Sequence, residues 1–131
     1  MKVAFVARYG PPEVVEFREV PTPSPGAGEV RVRVLATAVT AADWRIRSGV
    51  LPRGFGVLRG PALGFGGPRK AVLGTDAAGL IDAVGPGVTR FQVGDPVLAF
   101  PGIAMGGHAE FLVIREDGCV VPKPANLTFE E

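Results

Sequence analysis

Thr40-Ala41-Ala42-Asp43 sets a hydroxyl and a carboxylate three residues apart, directly ahead of Trp44, Arg45, Ile46 and Arg47. At that spacing the two side chains can satisfy the first free amides of a helix, the capping-box arrangement, and the same polar turn can also hold a ligand. An arginine on such a helix offers a fixed positive fork to an oxygen that gains charge during a reaction. Neighbouring helix positions face different ways, so Trp44, Arg45 and Arg47 cannot all serve one site. A solvated face accounts equally for the arginines, and core or interface filler for Trp44. The soft donors are His108 and Cys119 alone. Glu110 or Asp117 could complete a makeshift metal set with them, but a single Cys in Cys119-Val120-Val121 reads as a small buried hydrophobe. No metal is expected.

The elements that position this turn are strands. Lys2 to Arg8 and Val14 to Val20 read as two strands around the turn Tyr9-Gly10-Pro11-Pro12, whose prolines cannot donate to a ladder. After a spacer from Pro21 to Gly28, Val30, Val32, Val34 and Ala36 alternate with Arg31, Arg33 and Leu35, which predicts a strand with one buried and one wet face. A short helix follows Thr40 and ends at Ser48-Gly49. From Arg45 to Thr75 there are eight glycines and six basic residues, with no acid between Asp43 and Asp76. This stretch reads as a long excursion, and its Phe55, Val57, Leu58, Leu63 and Phe65 set it apart from a solvated linker. Such a loop serves either as a wall over a ligand or as a contact with a partner subunit. Asp76 to Val84, Pro96 to Phe100, Ala109 to Ile114 and Cys119 to Val121 supply further short strands. A mainly β fold is expected, a small barrel with one or two short helices.

The 131 residues, 47% of them hydrophobic, suffice for one core and one domain. A net charge of +1 removes the footprint that a nucleic-acid partner demands. One cysteine excludes an intrachain disulfide, and neither a signal peptide nor a spanning segment is visible, so a cytoplasmic protein with no membrane partner is expected. The glycine clusters do not make a dinucleotide-binding turn. Gly64-Phe65-Gly66-Gly67-Pro68 ends in proline, and Gly85-Pro86-Gly87 joins two strands.

Gly74-Thr75-Asp76, Val84-Gly85-Pro86-Gly87-Val88 and the run from Phe91 through Val97 keep the order and spacing of three motifs. On them the chain resembles the N-terminal, GroES-like catalytic domain of the medium-chain dehydrogenase/reductases, with zeta-crystallin-like quinone oxidoreductases the nearest in motif. The resemblance extends, more weakly, from Met1 to the closing Lys-Pro-Ala-Asn-Leu-Thr-Phe-Glu-Glu. It implies that residues 1–131 form the substrate-side domain and that a C-terminal nucleotide-binding domain lies outside them. The pattern Thr128-Phe129-Glu130-Glu131, a helix start with no helix after it, fits a chain cut at that boundary.

The resemblance also implies a reaction: hydride transfer from NAD(P)H, bound mainly by the other domain, to a quinone, an enone or a carbonyl. Thr40 stands where zinc-dependent relatives carry a Cys and Thr75 where they carry a His, so a zinc-independent enzyme is implied. Thr40 and Asp43 then become candidate catalytic and cofactor-binding residues, with Thr40 reaching a substrate carbonyl or the nicotinamide amide and Asp43 fixing the geometry. Arg45 becomes a candidate for the developing oxyanion, and Arg47, Leu51 and Thr75 for the substrate cleft. A homodimer of the full-length protein is left open. Residues 1–131 alone are expected to be inactive. Two rivals stand beside this reading: a zinc-dependent alcohol dehydrogenase domain with unusual ligands, and a non-enzymatic GroES-like binding module.

Overall fold

A computed structural model describes all residues from Met1 to Glu131. The first two strands, β1 (Lys2–Val6) and β2 (Val15–Glu19), pair antiparallel as a two-stranded sheet. Between them a 3-10 turn, Pro12–Val14, uses proline where no amide donor is needed. The remaining strands are β3 (Glu29–Ala36), β4 (Ala77–Val84), β5 (Pro96–Ala99), β6 (Phe111–Arg115) and β7 (Val120–Pro122). They form one five-stranded sheet in the order β6-β3-β4-β5-β7. The class is mainly β, as the sequence implies. The ladder does not close into a ring, and single bridges Val3↔Ala109 and Phe5↔Val72 tie the small sheet to its surroundings.

The alternation of β3 explains the core. Val30 and Val32 are fully enclosed, packing with Ile81, Val97, Leu112 and Val120. A second, smaller cluster joins Val6, Val14, Leu73 and Met105 beneath the short helix α1 (Ala41–Ser48), whose Ile46 leans on it. On the other face of β3, Arg31 grips Asp82 of β4 with two bonds of 2.9 Å and donates a third to the Pro23 carbonyl. Its guanidinium also lies 5.1 Å from the Phe111 ring centre. Two-point geometry makes this pair stronger than an ordinary surface ion pair, although both side chains keep partial solvent contact. Asp82→Ala is expected to cost about 1 kcal/mol in a urea melt, with the loss shrinking as salt is added.

The excursion contains a second short helix, α2 (Arg59–Leu63), preceded by a 3-10 turn at Gly56–Leu58. Neither has a side-chain cap, and both sit among glycines, which is why no helix signal is visible there in the sequence. Tyr9 fastens the excursion to the body: its hydroxyl donates to the Gly64 carbonyl at 2.7 Å, and its ring lies beneath Arg59.

Candidate functional site

Helix α1 begins as its sequence predicts. Thr40 is the N-cap, its hydroxyl oxygen accepting from the Asp43 amide, while Asp43 Oδ2 accepts from the Thr40 amide at 2.8 Å. The Thr40 hydroxyl donates its proton to the same Oδ2 at 2.8 Å. Gly49, in the left-handed conformation at φ 68°, ends the helix.

The carboxylate does more than cap. Asp43 is 3% exposed, and its Oδ1 accepts from the Gly74 amide at 2.9 Å, so one side chain joins the start of α1 to the turn ahead of β4. Burial alone pushes this carboxyl up. The bonds from the Thr40 amide and hydroxyl and the Gly74 amide, helped by the charge of nearby His108, outweigh burial and hold it below the ordinary Asp range.

Three segments converge on this corner. Asp76 Oδ1 accepts from the Ala38 amide at 2.9 Å, and the Thr37 hydroxyl donates to the Asp76 carbonyl at 2.7 Å. The His108 amide donates to the Leu73 carbonyl, and His108 Nε2 lies 3.1 Å from the Ala38 carbonyl oxygen. A carbonyl only accepts, so Nε2 is the donor. Gly74 has φ 97°, and a methyl there would sit 2.5 Å from the His108 amide nitrogen. Only glycine fits so tight a junction.

Two grooves flank the corner. The larger, about 850 Å³, runs between the β1–β2 hairpin, the end of β3 and α1, and its lining includes Leu35, Asp43, Trp44, Arg47 and His108. The smaller, about 350 Å³, is lined by Thr37, Asp76, Phe100, Cys119 and Phe129 among others. The structure therefore brings Thr40 and Asp43 together and sets Asp43 and Arg47 on one groove. Arg47 is partly committed, donating to the Gly10 carbonyl at 2.6 Å. Arg45 is exposed with no ion pair, Leu51 is half-buried, and neither lines a groove. Thr75 follows Gly74 directly, so it stands one residue from the Asp43 contact, and its hydroxyl donates to Asp76 at 3.4 Å.

Trp44 is 48% exposed on the larger groove, which removes the core alternative and leaves the interface one, because Ile46 takes the inward position of α1. One expectation is corrected. Cys119 is exposed and lines the smaller groove. It ends the Asp117-Gly118 turn, and Val120 takes the buried position that follows. His108 and Asp76 emerge as corner residues that sequence reasoning did not assign. Asp76 was visible within the Gly74-Thr75-Asp76 motif, whereas nothing in the sequence brings His108 to Ala38.

The donor set bears on cofactors. The Thr40 and Thr75 hydroxyls are bonded to carboxylates, and no group of three or more His, Cys, Asp or Glu side chains is placed to hold a metal ion. The Gly85-Pro86-Gly87 turn leaves β4 without entering a helix, so it lacks the amide cradle that a pyrophosphate needs.

Comparison with known proteins agrees with the motifs. The alcohol dehydrogenase GroES-like domain family matches residues 26–125. A quinone oxidoreductase of Pseudomonas aeruginosa is 38% identical over 125 residues, which is 95% of this chain and 34% of that protein. Among solved structures, an NAD-dependent alcohol dehydrogenase superposes with a TM-score of 0.77 at 35% identity, covering 100% of this chain and 42% of that one. A mycobacterial protein solved in complex with NADPH gives 0.75 at 28% identity, covering 98% of this chain and 35% of that one. The chain spans about a third of the length of the curated relatives it matches first, 34% to 36% in three quinone oxidoreductases. Because the family match takes in residues 26–125, well over half of its length, the chain belongs to the alcohol dehydrogenase GroES-like domain family.

Proposed function

We propose that the chain is the substrate-side domain of a zinc-independent, NAD(P)H-dependent reductase that acts on a quinone, an enone or a carbonyl. The observation that carries this reading is the corner itself. Its hydroxyls and carboxylates are bonded to one another and not arrayed as metal ligands, in a chain that is 38% identical to a quinone oxidoreductase. The nucleotide is held mainly by a further domain of the full-length protein, and when bound it supplies the hydride. We place the enzyme in the cytoplasm, compatible with a homodimer, with no nucleic-acid partner.

In this proposal each residue of the corner has a definite task. Asp43 stays ionised and fixes Thr40, whose hydroxyl proton is already committed. Thr40 therefore offers an oxygen lone pair, suited to the N–H of the nicotinamide amide rather than to a substrate carbonyl. Arg45, free of ion pairs and outside both grooves of this domain, would reach the oxygen that gains charge as hydride arrives only across the cleft with the further domain. Arg47, Leu51 and Thr75 shape the substrate side, and the proton comes from solvent or from a polar side chain. Geometry, not a metal, supplies the rate enhancement.

The test uses the full-length protein and follows NADPH oxidation with a benzoquinone, before and after dialysis against a chelator. Activity unchanged by the chelator is expected, and stoichiometric zinc with activity lost on its removal would sink the reading. Arg45→Ala is expected to lower kcat by about tenfold, a modest oxyanion effect for an exposed group, while KM for NADPH stays unchanged. Partial rescue by Arg45→Lys would separate charge from shape.

A further inference from the structure

The connection from β3 to α1, Thr37 to Thr40, belongs to no helix or strand, yet it carries the hydroxyl on which the proposed nicotinamide contact depends. Side chains from elsewhere hold it. Asp76 Oδ1 accepts from the Ala38 amide at 2.9 Å, and the Ala38 carbonyl accepts from His108 Nε2 at 3.1 Å. Both backbone groups of one residue are thus taken, one from the turn ahead of β4 and one from the loop ahead of β6. Asp43 fixes Thr40 from the helix side, and Asp76 and His108 fix the chain that leads into it from β3.

His108 is itself immobilised. Its amide donates to the Leu73 carbonyl at 2.9 Å, its carbonyl accepts from the Ala4 amide at 2.9 Å, and the neighbouring Gly107 amide donates to the Gly74 carbonyl at 3.0 Å. A methyl at Gly74 would lie 2.5 Å from the His108 amide nitrogen, so these two backbones meet without a gap. The contacts close a ring: Asp43 binds Gly74, Gly74 abuts His108, His108 binds Ala38, and Thr40, two residues on, binds Asp43. The imidazole is the link that spans from the loop ahead of β6 to the connection that bears Thr40.

We propose that His108 is a positioning residue: by donating from Nε2 to the Ala38 carbonyl, it sets the place of the Thr40 oxygen that accepts from the nicotinamide amide. This rests on the reading of Thr40 given above. Its effect falls on binding, because a contact made equally before and during the reaction changes KM and not kcat.

The experiment follows NADPH oxidation by the full-length protein with a benzoquinone, in Thr40→Val, His108→Asn, His108→Gln and the double variant Thr40→Val with His108→Asn. Gln places an amide N–H about where Nε2 stands, whereas Asn is too short to reach Ala38. KM for NADPH is expected to rise about fivefold in His108→Asn and about tenfold in Thr40→Val, each the worth of one hydrogen bond, with kcat unchanged. His108→Gln should stay near the parent. In the double variant the Asn change should raise KM no further, because the contact it serves is already gone. A merely structural histidine would lower the melting temperature and leave KM for NADPH alone. If Thr40→Val raises KM while His108→Asn does not, if the two effects multiply in full, or if Gln does no better than Asn, the positioning role is overturned and the reading of Thr40 stands. If Thr40→Val leaves KM unchanged, that reading falls and the role of His108 falls with it.

Discussion

Asp43→Ala is expected to remove about 2–5 kcal/mol of stability, up to half of what a domain of this size ordinarily has. Loss of the cap accounts for about 1–2 kcal/mol. The Gly74 amide, left in a buried corner without an acceptor, adds about 1–3 kcal/mol. Asp43→Asn keeps the shape and at least one accepted bond, so it should cost less, about 1–2 kcal/mol. The Asn variant also tests the charge. The folded state holds this carboxyl below its unfolded value of about 3.9, so its contribution is fully present above that pH and is lost as pH falls through the folded value. Urea midpoints followed from neutral to acid pH should therefore fall more steeply in the parent than in Asp43→Asn. Parallel acid profiles would show that the carboxylate is not held in its charged form.

Gly85→Ala is the second large effect, expected at about 3 kcal/mol or more. A methyl at this position would lie 2.7 Å from the Gly26 carbonyl carbon and closer still to its oxygen. Both neighbours are backbone, and the Gly85 amide is itself bonded to the Glu29 carbonyl at 2.8 Å, so neither strand end can step aside. Gly87→Ala provides the contrast within the same turn. Its φ is 79°, but nothing lies within 4 Å of an added methyl, so it should cost about 1–2 kcal/mol from backbone conformation alone. Denaturant titration of both variants checks the ranking. Equal losses would mean that the contact with Gly26 can relax.

The parts of the fold that were legible in the sequence depend on local periodicity. Thr40 with Asp43 announced the cap, Gly49 the helix end, and the valines of β3 their buried face, because each rule spans only a few residues. Sheet order was not legible. β6 lies beside β3 and β7 beside β5 through pairings such as Arg31↔Val113, far apart in the chain, and no turn signal encodes them. The site divides in the same way. The Thr40–Asp43 contact follows from spacing, while the reach of Asp43 to Gly74 and of His108 to Ala38 depends on how three distant segments converge. Trp44 stayed open between core and interface because a large aromatic side chain is buried on average, and only the packing of Ile46 reveals which side of α1 faces inward.

The bond from Asp43 to Gly74 pins together the two ends of the entire excursion. Between them the chain is fastened to the hairpin at a few points, Gly64 by Tyr9 and Ala71 by Val6, and doubling the length of a loop between such points adds only about 0.6 kcal/mol of closure cost. Evolution can therefore exchange, trim or enlarge the surface it presents as a cassette, retuning what the protein touches while the inherited hinge point beneath stays where it was.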